Sequence, residues 1–138
     1  TDGKIWFGTQ WEGDPLATPP LVGRATLERG LELVETPQPV LDAMRRYIGA
    51  MAASRDGTIV SASAPRGGCV VHWSAGTGRY LGATPITDSS GITAYREKSI
   101  LASNGEGRIV EAKASGSQEL TSRPGVAFDN HLRVVGSY

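Results

Sequence analysis

The sequence is poor in the residues that carry most metal and nucleophile chemistry. Its 138 residues contain one cysteine, Cys69, and two histidines, His72 and His131. A single cysteine excludes an internal disulfide and any thiolate metal cluster built by one chain. An excess of charge of either sign is missing too, since Lys plus Arg and Asp plus Glu number 14 each. A neutral balance exerts no long-range pull on nucleic acid or on an anionic membrane, so neither is an expected partner. Arg45 and Arg46 are adjacent, but two charges make a solvated helix end, not a basic patch. No apolar run approaches the roughly 20 residues that span a bilayer, so membrane insertion is not expected. The glycines of "GTGRYLG" at Gly76 to Gly82 lack both Rossmann spacing and a Walker lysine, and no HExxH or EF-hand pattern occurs. No cofactor is therefore expected.

What is present reads as a globular, mostly β chain. Hydrophobic residues make up 39% and charged residues 20%, which is not the composition of a disordered segment. Eighteen glycines and eight prolines are scattered without period, as many short strands joined by tight turns require. Cys69 precedes Val70 and Val71, so it reads as a small buried hydrophobe on a strand.

An internal echo organises the chain. "DGKIWFGTQ" at Asp2 to Gln10 resembles "DGTIVSASA" at Asp56 to Ala64, and "EKSILASNG" at Glu97 to Gly105 is a weaker third copy. Asp-Gly favours a tight turn because both residues tolerate positive φ. The residues after it alternate with the period of a half-buried strand. Ile59 and Ile100 lie 41 residues apart, which fits one propeller blade of roughly 40 to 45 residues. Ile5 and Ile59 lie 54 apart, and the excess fits a helical insertion in "TPQPVLDAMRRYI", with Val40, Leu41, Met44 and Ile48 as its apolar stripe.

The expected fold is all-β, about three blades' worth of a partial β-propeller with one short helical insertion. Residues 1–35 supply three strands without an inner partner, as a partial blade. Residues 36–46 are the insertion, 47–90 and 91–125 are four-stranded antiparallel blades, and 126–138 start a further one. A small β-sandwich is the alternative, because short strands alone do not separate the two. Closed propellers need at least about four blades, so open edges should pair with a protein partner or self-associate. The abrupt start at the turn Thr1-Asp2-Gly3 points to residues upstream.

Five residues are candidate ligand contacts. Glu12 and Asp14, in "QWEGDPL", are two carboxylates for a hard cation or an acid–base pair, or else a solvated turn. Trp11 beside them is a ligand platform or a cover for the core. Arg66, in "SAPRGG", can clamp a carboxylate or phosphate, or tie neighbouring blades through carbonyl or carboxylate contacts. Asp129 and His131, in "FDNHL", can ligate a metal or cap the backbone. His72, in "CVVHW", should be a half-exposed strand histidine. No Ser-His-Asp or Cys-His set stands out, so no catalytic residue is assigned.

Several of these segments together resemble one family. "DGKIWFGTQWEGDP", "PLVG", "MRRYIGAMA", "SAPRGG", "HWSAGTGRYLG" and "FDNHL" look like the C-terminal half of a bacterial family catalogued as domain of unknown function 1513. The resemblance implies an exported protein with a propeller fold, further blades upstream, and a periplasmic role linked to iron uptake. Glu12 and Asp14, Arg45 and Tyr47, Pro65 to Gly68, and Asp129 to His131 match the family's loops. Arg46 stands where Asn is usual. Ser74 stands where Asp often follows the tryptophan, so a turn hydrogen bond is expected to be missing.

Two functional classes follow. The first is a non-enzymatic binding or interaction scaffold. The second is a metal- or acid–base-dependent hydrolase or lyase with its site in a central funnel. A third reading makes the chain an inactive fragment of a larger protein.

Overall fold

The computed structural model describes residues 3–136. The turn expected at Thr1-Asp2-Gly3 thus falls partly outside the described residues. Among the described residues, eleven strands form three antiparallel sheets, each a meander of consecutive strands. The first holds β1 (Ile5–Gly8), β2 (Val22–Thr26) and β3 (Gly30–Leu33). The second holds β4 (Ala50–Ala53), β5 (Ile59–Ala64), β6 (Cys69–Ser74) and β7 (Tyr80–Pro85). The third holds β8 (Ser89–Ala94), β9 (Ile100–Asn104), β10 (Arg108–Lys113) and β11 (Gly116–Ser122). The fold is mostly β with blade-like sheets, as the alternation predicts.

Local chemistry explains the strand boundaries. At the β4–β5 turn, the Asp56 carboxylate accepts hydrogen bonds from the Ser54 hydroxyl at 2.7 Å, the Thr58 hydroxyl at 2.8 Å and the Thr58 N–H at 3.0 Å. These bonds, led by that of Ser54, hold its carboxyl below the usual range. Gly57 follows with φ of 69°, which a Cβ would disfavour. Helix α1 (Gln38–Ala43) is only six residues long, shorter than the expected insertion. Pro37 caps its start, and Arg45 and Arg46 leave helical geometry with φ of 49° and 59°. The arginines are therefore a left-handed turn beyond the helix, which corrects their reading as its solvated end. So short a helix depends on packing, which Leu41 and Met44 provide from buried positions.

The second sheet is covered on both faces. Cys69, Val71 and Trp73 face a core shared with Leu21, Val22, Val34, Leu41 and Met44. Val70 belongs to a second core, with Ile86, Ile92, Ile100, Ala102, Val110 and Ala112. Hydrogen bonds tie the second and third sheets. The Ser63 hydroxyl donates to Ser90 O at 2.8 Å and the Ser89 hydroxyl to Cys69 O at 2.9 Å. On the other side, Arg24 pairs with Glu32 at 2.8 Å and donates to Gly76 O at 3.1 Å, joining the first sheet to the second. The Ser74 hydroxyl accepts from Thr77 N–H at 3.4 Å, so the turn bond expected to be missing is present, though long.

His72 is 1% exposed, which corrects its reading as half-exposed. Alternation places it opposite Trp73, as expected, but that side faces the third sheet instead of water. Its Nδ1 lies 2.8 Å from Ser61 Oγ and its Nε2 lies 3.1 Å from Thr84 Oγ1. The Thr84 hydroxyl hydrogen is committed to Lys113 O. Thr84 must then accept from Nε2–H, so Ser61 donates to Nδ1. The neutral tautomer is fully satisfied.

A further blade was expected to start over 126–138, of which 137–138 lie outside the described residues; residues 123–136 form no strand. The segment instead returns over the third sheet. Arg123 N–H donates to Gly107 O at 2.8 Å, Phe128 N–H to Asn104 O at 3.2 Å, and Leu132 lies over Gly91 of β8.

Burial pushes the His72 imidazole from its ordinary 6.5 down to about 4. Between those two values the unfolded chain binds a proton that the folded chain does not. Stability is thus full above pH 6.5 and falls as the pH drops toward 4, by on the order of 3 kcal/mol from this group. Urea unfolding across that window should show the slope, and a His72→Gln variant should lose that part of it. Equal slopes in the two proteins would contradict the assignment.

Candidate functional site

Because each sheet is a meander, its connections alternate between two ends, and the ends differ. One end carries short turns, at residues 27–29, 54–58, 75–79, 95–99 and 114–115. The other carries the long connections 9–21 and 34–49, the loops 65–68, 86–88 and 105–107, and the returning segment 123–136. These pieces form one hydrogen-bonded rim. Trp11 N–H donates to Arg46 O at 3.0 Å and Ile48 N–H to Thr9 O at 3.2 Å. Ile86 N–H donates to Gly68 O at 2.9 Å, and Asn104 Nδ2 to Thr87 O at 3.0 Å.

All five candidate residues sit on this end. Glu12 and Asp14 are exposed on the 9–21 connection. Asp14 shapes the turn, its carboxylate accepting Leu16 N–H at 2.9 Å and its carbonyl accepting Trp11 Nε1–H at 3.1 Å. Arg66 lies over the Tyr47 ring, with Cζ 4.6 Å from the centroid. That contact reaches an aromatic face, where a carboxylate or carbonyl partner was expected. Asp129 and His131 meet each other, Oδ2 to Nδ1 at 3.6 Å, and are 84% and 88% exposed. A pair so exposed is worth little. Among the described residues, no group of three or more His, Cys, Asp or Glu side chains is placed to hold a metal ion.

Two features escaped the sequence. The first is the Ser61–His72 contact, which brings a hydroxyl and an imidazole together at 2.8 Å. Both residues are buried, the third partner is Thr84, and no carboxylate orients the ring, so the set ties strands and has no nucleophile open to a substrate. The second is a cleft of about 840 Å³ on the flank between the first two sheets, lined by Arg24, Glu35, Gln38, Leu41, Arg79 and Tyr80 among others. None of the five candidates lines it. Its walls come from segments far apart in the chain, so no local motif marks it. Cys69 is buried, and burial pushes its thiol up, so it is an inert packing residue.

A family described as protein of unknown function (DUF1513) matches residues 1–135. The chain belongs to this family. No curated protein matches this DUF1513 chain. Solved structures do. Virginiamycin B lyase from Staphylococcus aureus matches with a TM-score of 0.56 and 15% identity, over 72% of this chain and 33% of that one. Hydrazine synthase of Kuenenia stuttgartiensis matches with a TM-score of 0.54 and 14% identity, over 71% and 28%. A luciferin-regenerating enzyme matches with a TM-score of 0.54 and 15% identity, over 88% and 43%. At such identity the likeness shows the propeller-like fold alone. The DUF1513 chain spans less than half the length of each of these structures.

The loop bearing Arg66 is seated on the end of α1. A Cβ on Gly67 would lie 2.1 Å from Ala43 O and 3.0 Å from the Met44 Cα. Gly67→Ala should therefore cost about 2 kcal/mol in urea unfolding with an unchanged m-value. Gly76→Ala, which meets nothing within 4 Å, should be near neutral.

Proposed function

We propose that this chain is a non-enzymatic binding scaffold that engages a protein partner through its loop end. The observation that carries the reading is the asymmetry of the two ends. Long connections are thermodynamically tolerable anywhere on a surface, yet both of them, 9–21 and 34–49, lie at one end together with the segment 123–136, while no connection at the other end exceeds five residues. A rigid body with irregular loops at one end is built for shape and polar complementarity. Trp11 is 39% exposed there, held in place by its indole hydrogen bond, and supplies the kind of ordered aromatic that anchors an interface. The proposed setting is periplasmic and connected with iron uptake, which the family resemblance suggests. No helix among the described residues is long and apolar enough to cross a membrane.

The test is capture of a partner from periplasmic extract by the tagged chain at physiological salt. A specific partner should be retained by wild type and by Lys98→Ala at the turn end. It should be lost at least about tenfold from Trp11→Ala with Arg66→Ala, because anchors at an interface centre dominate affinity. Absence of any enriched protein, or equal loss from the turn-end variant, would overturn the reading.

A further inference from the structure

The loop end also holds the backbone strain of the molecule. Among the described residues, three that are not glycine have positive φ: Arg45 at 49°, Arg46 at 59° and Asp88 at 49°. All three lie on connections at that end, the first two on 34–49 and the third on 86–88. A left-handed conformation disfavours long side chains, and such residues gather where a structure holds side chains for use. Two consecutive arginines in this state need a reason beyond turning the chain, which glycine or asparagine does without strain.

What the strain achieves is visible in their surroundings. Arg46 is spent on structure: its carbonyl accepts Trp11 N–H and its guanidinium donates to Pro15 O at 2.9 Å, pinning the 9–21 connection. Tyr47 follows, bridged to Gln10, and carries Arg66 on its ring face. Arg45 projects from the same turn, exposed. Neither Arg45 nor Arg66 has a carboxylate within ion-pair distance among the described residues; Arg79 and Arg123 lack one as well, and it is the ring beneath Arg66 that sets that guanidinium apart. A guanidinium stacked on a ring keeps its edge N–H groups free and oriented, ready for a planar or tetrahedral oxyanion.

The geometry points to an anion site at the loop end, in which Arg66 on Tyr47 and Arg45, two residues before that tyrosine on the segment against which the Arg66 loop is seated, receive a carboxylate or phosphate group of a small ligand. This rests on the reading of the loop end as the binding end. Among the neighbouring acids, Asp14 is engaged in its own turn. Asp42, three residues before Arg45, accepts from Gln38 Nε2–H at 2.9 Å, and Glu12, exposed on the adjoining connection, is the remaining acid whose charge would oppose an incoming anion.

Isothermal titration of the full chain with citrate and with inorganic phosphate, at low and at physiological ionic strength, tests the site and separates the two chemistries. Saturable binding of at least one anion is expected. Arg66→Gln and Arg45→Gln should each weaken it about tenfold, the loss of one charge-assisted hydrogen-bond pair. Glu12→Gln should tighten it, and Lys98→Gln at the turn end should leave it unchanged. Arg45→Gly gives a readout beyond binding: it should raise the unfolding midpoint by releasing strain and still lose the anion. No saturable heat with either anion at low ionic strength, or wild-type affinity in Arg66→Gln, overturns the site. If the anions fail while the Trp11 and Arg66 substitutions still release a protein partner, the anion site falls and the scaffold reading stands.

Discussion

The two central strands of the second sheet, β5 and β6, have no solvent face, and the placement of the neighbouring sheets answers to that constraint. The strands of this sheet alternate side chains between two cores, with Trp73, Val71 and Cys69 on one side and Val70 and His72 on the other. The apolar half needs the first sheet and helix α1 against it. The other half carries Ser61, Ser63, His72 and Thr84, all buried. Buried polar groups are costly unless paired, so this half needs partners within the protein. The third sheet supplies backbone carbonyls at Ser90 and Lys113, and the histidine completes the set within its own sheet. Polar pairing thus sets the register between sheets, while apolar packing holds them together.

A stack tied in this way leaves the strand connections free to differ. At the turn end, backbone bonds from Arg55 and Asp56 to the carbonyls of Arg96 and Glu97 lock one turn to the next. At the loop end the bonds run along a rim, from Thr9 and Trp11 through Gly68 and Thr87 to Asn104 and Phe128. The rim is ordered by backbone groups together with the Asn104 and Arg46 side chains, which leaves the side chains of Trp11, Arg45 and Arg66 at its surface. Close approach is part of that order: Gly67 lies where any side chain would meet the end of α1.

Much of the fold was legible in the residues. Asp56-Gly57 marked a turn because its carboxylate satisfies local N–H and hydroxyl donors, and the alternation after it marked β5. His72 was misplaced for a definite reason. Period-two alternation says which side of a sheet a residue occupies, but only the neighbouring sheet decides whether that side is wet. Helix α1 was read too long because an apolar stripe does not reveal that Arg45 and Arg46 turn left-handed. The candidate residues were found as loop residues, without any means of knowing that their loops share one end.

By itself the sequence determined the strands, the tight turns and the likeness to a family, since these rest on contacts between residues close in the chain. It determined as well that no disulfide and no thiolate cluster form within the chain. The tertiary structure alone decided which faces are dry, that His72 is neutral and enclosed, and that Arg66 lies on Tyr47 beside a strained pair of arginines. The physical reason is range. Turn chemistry and alternation act over a few residues, whereas burial and the meeting of loops depend on how separate sheets stack.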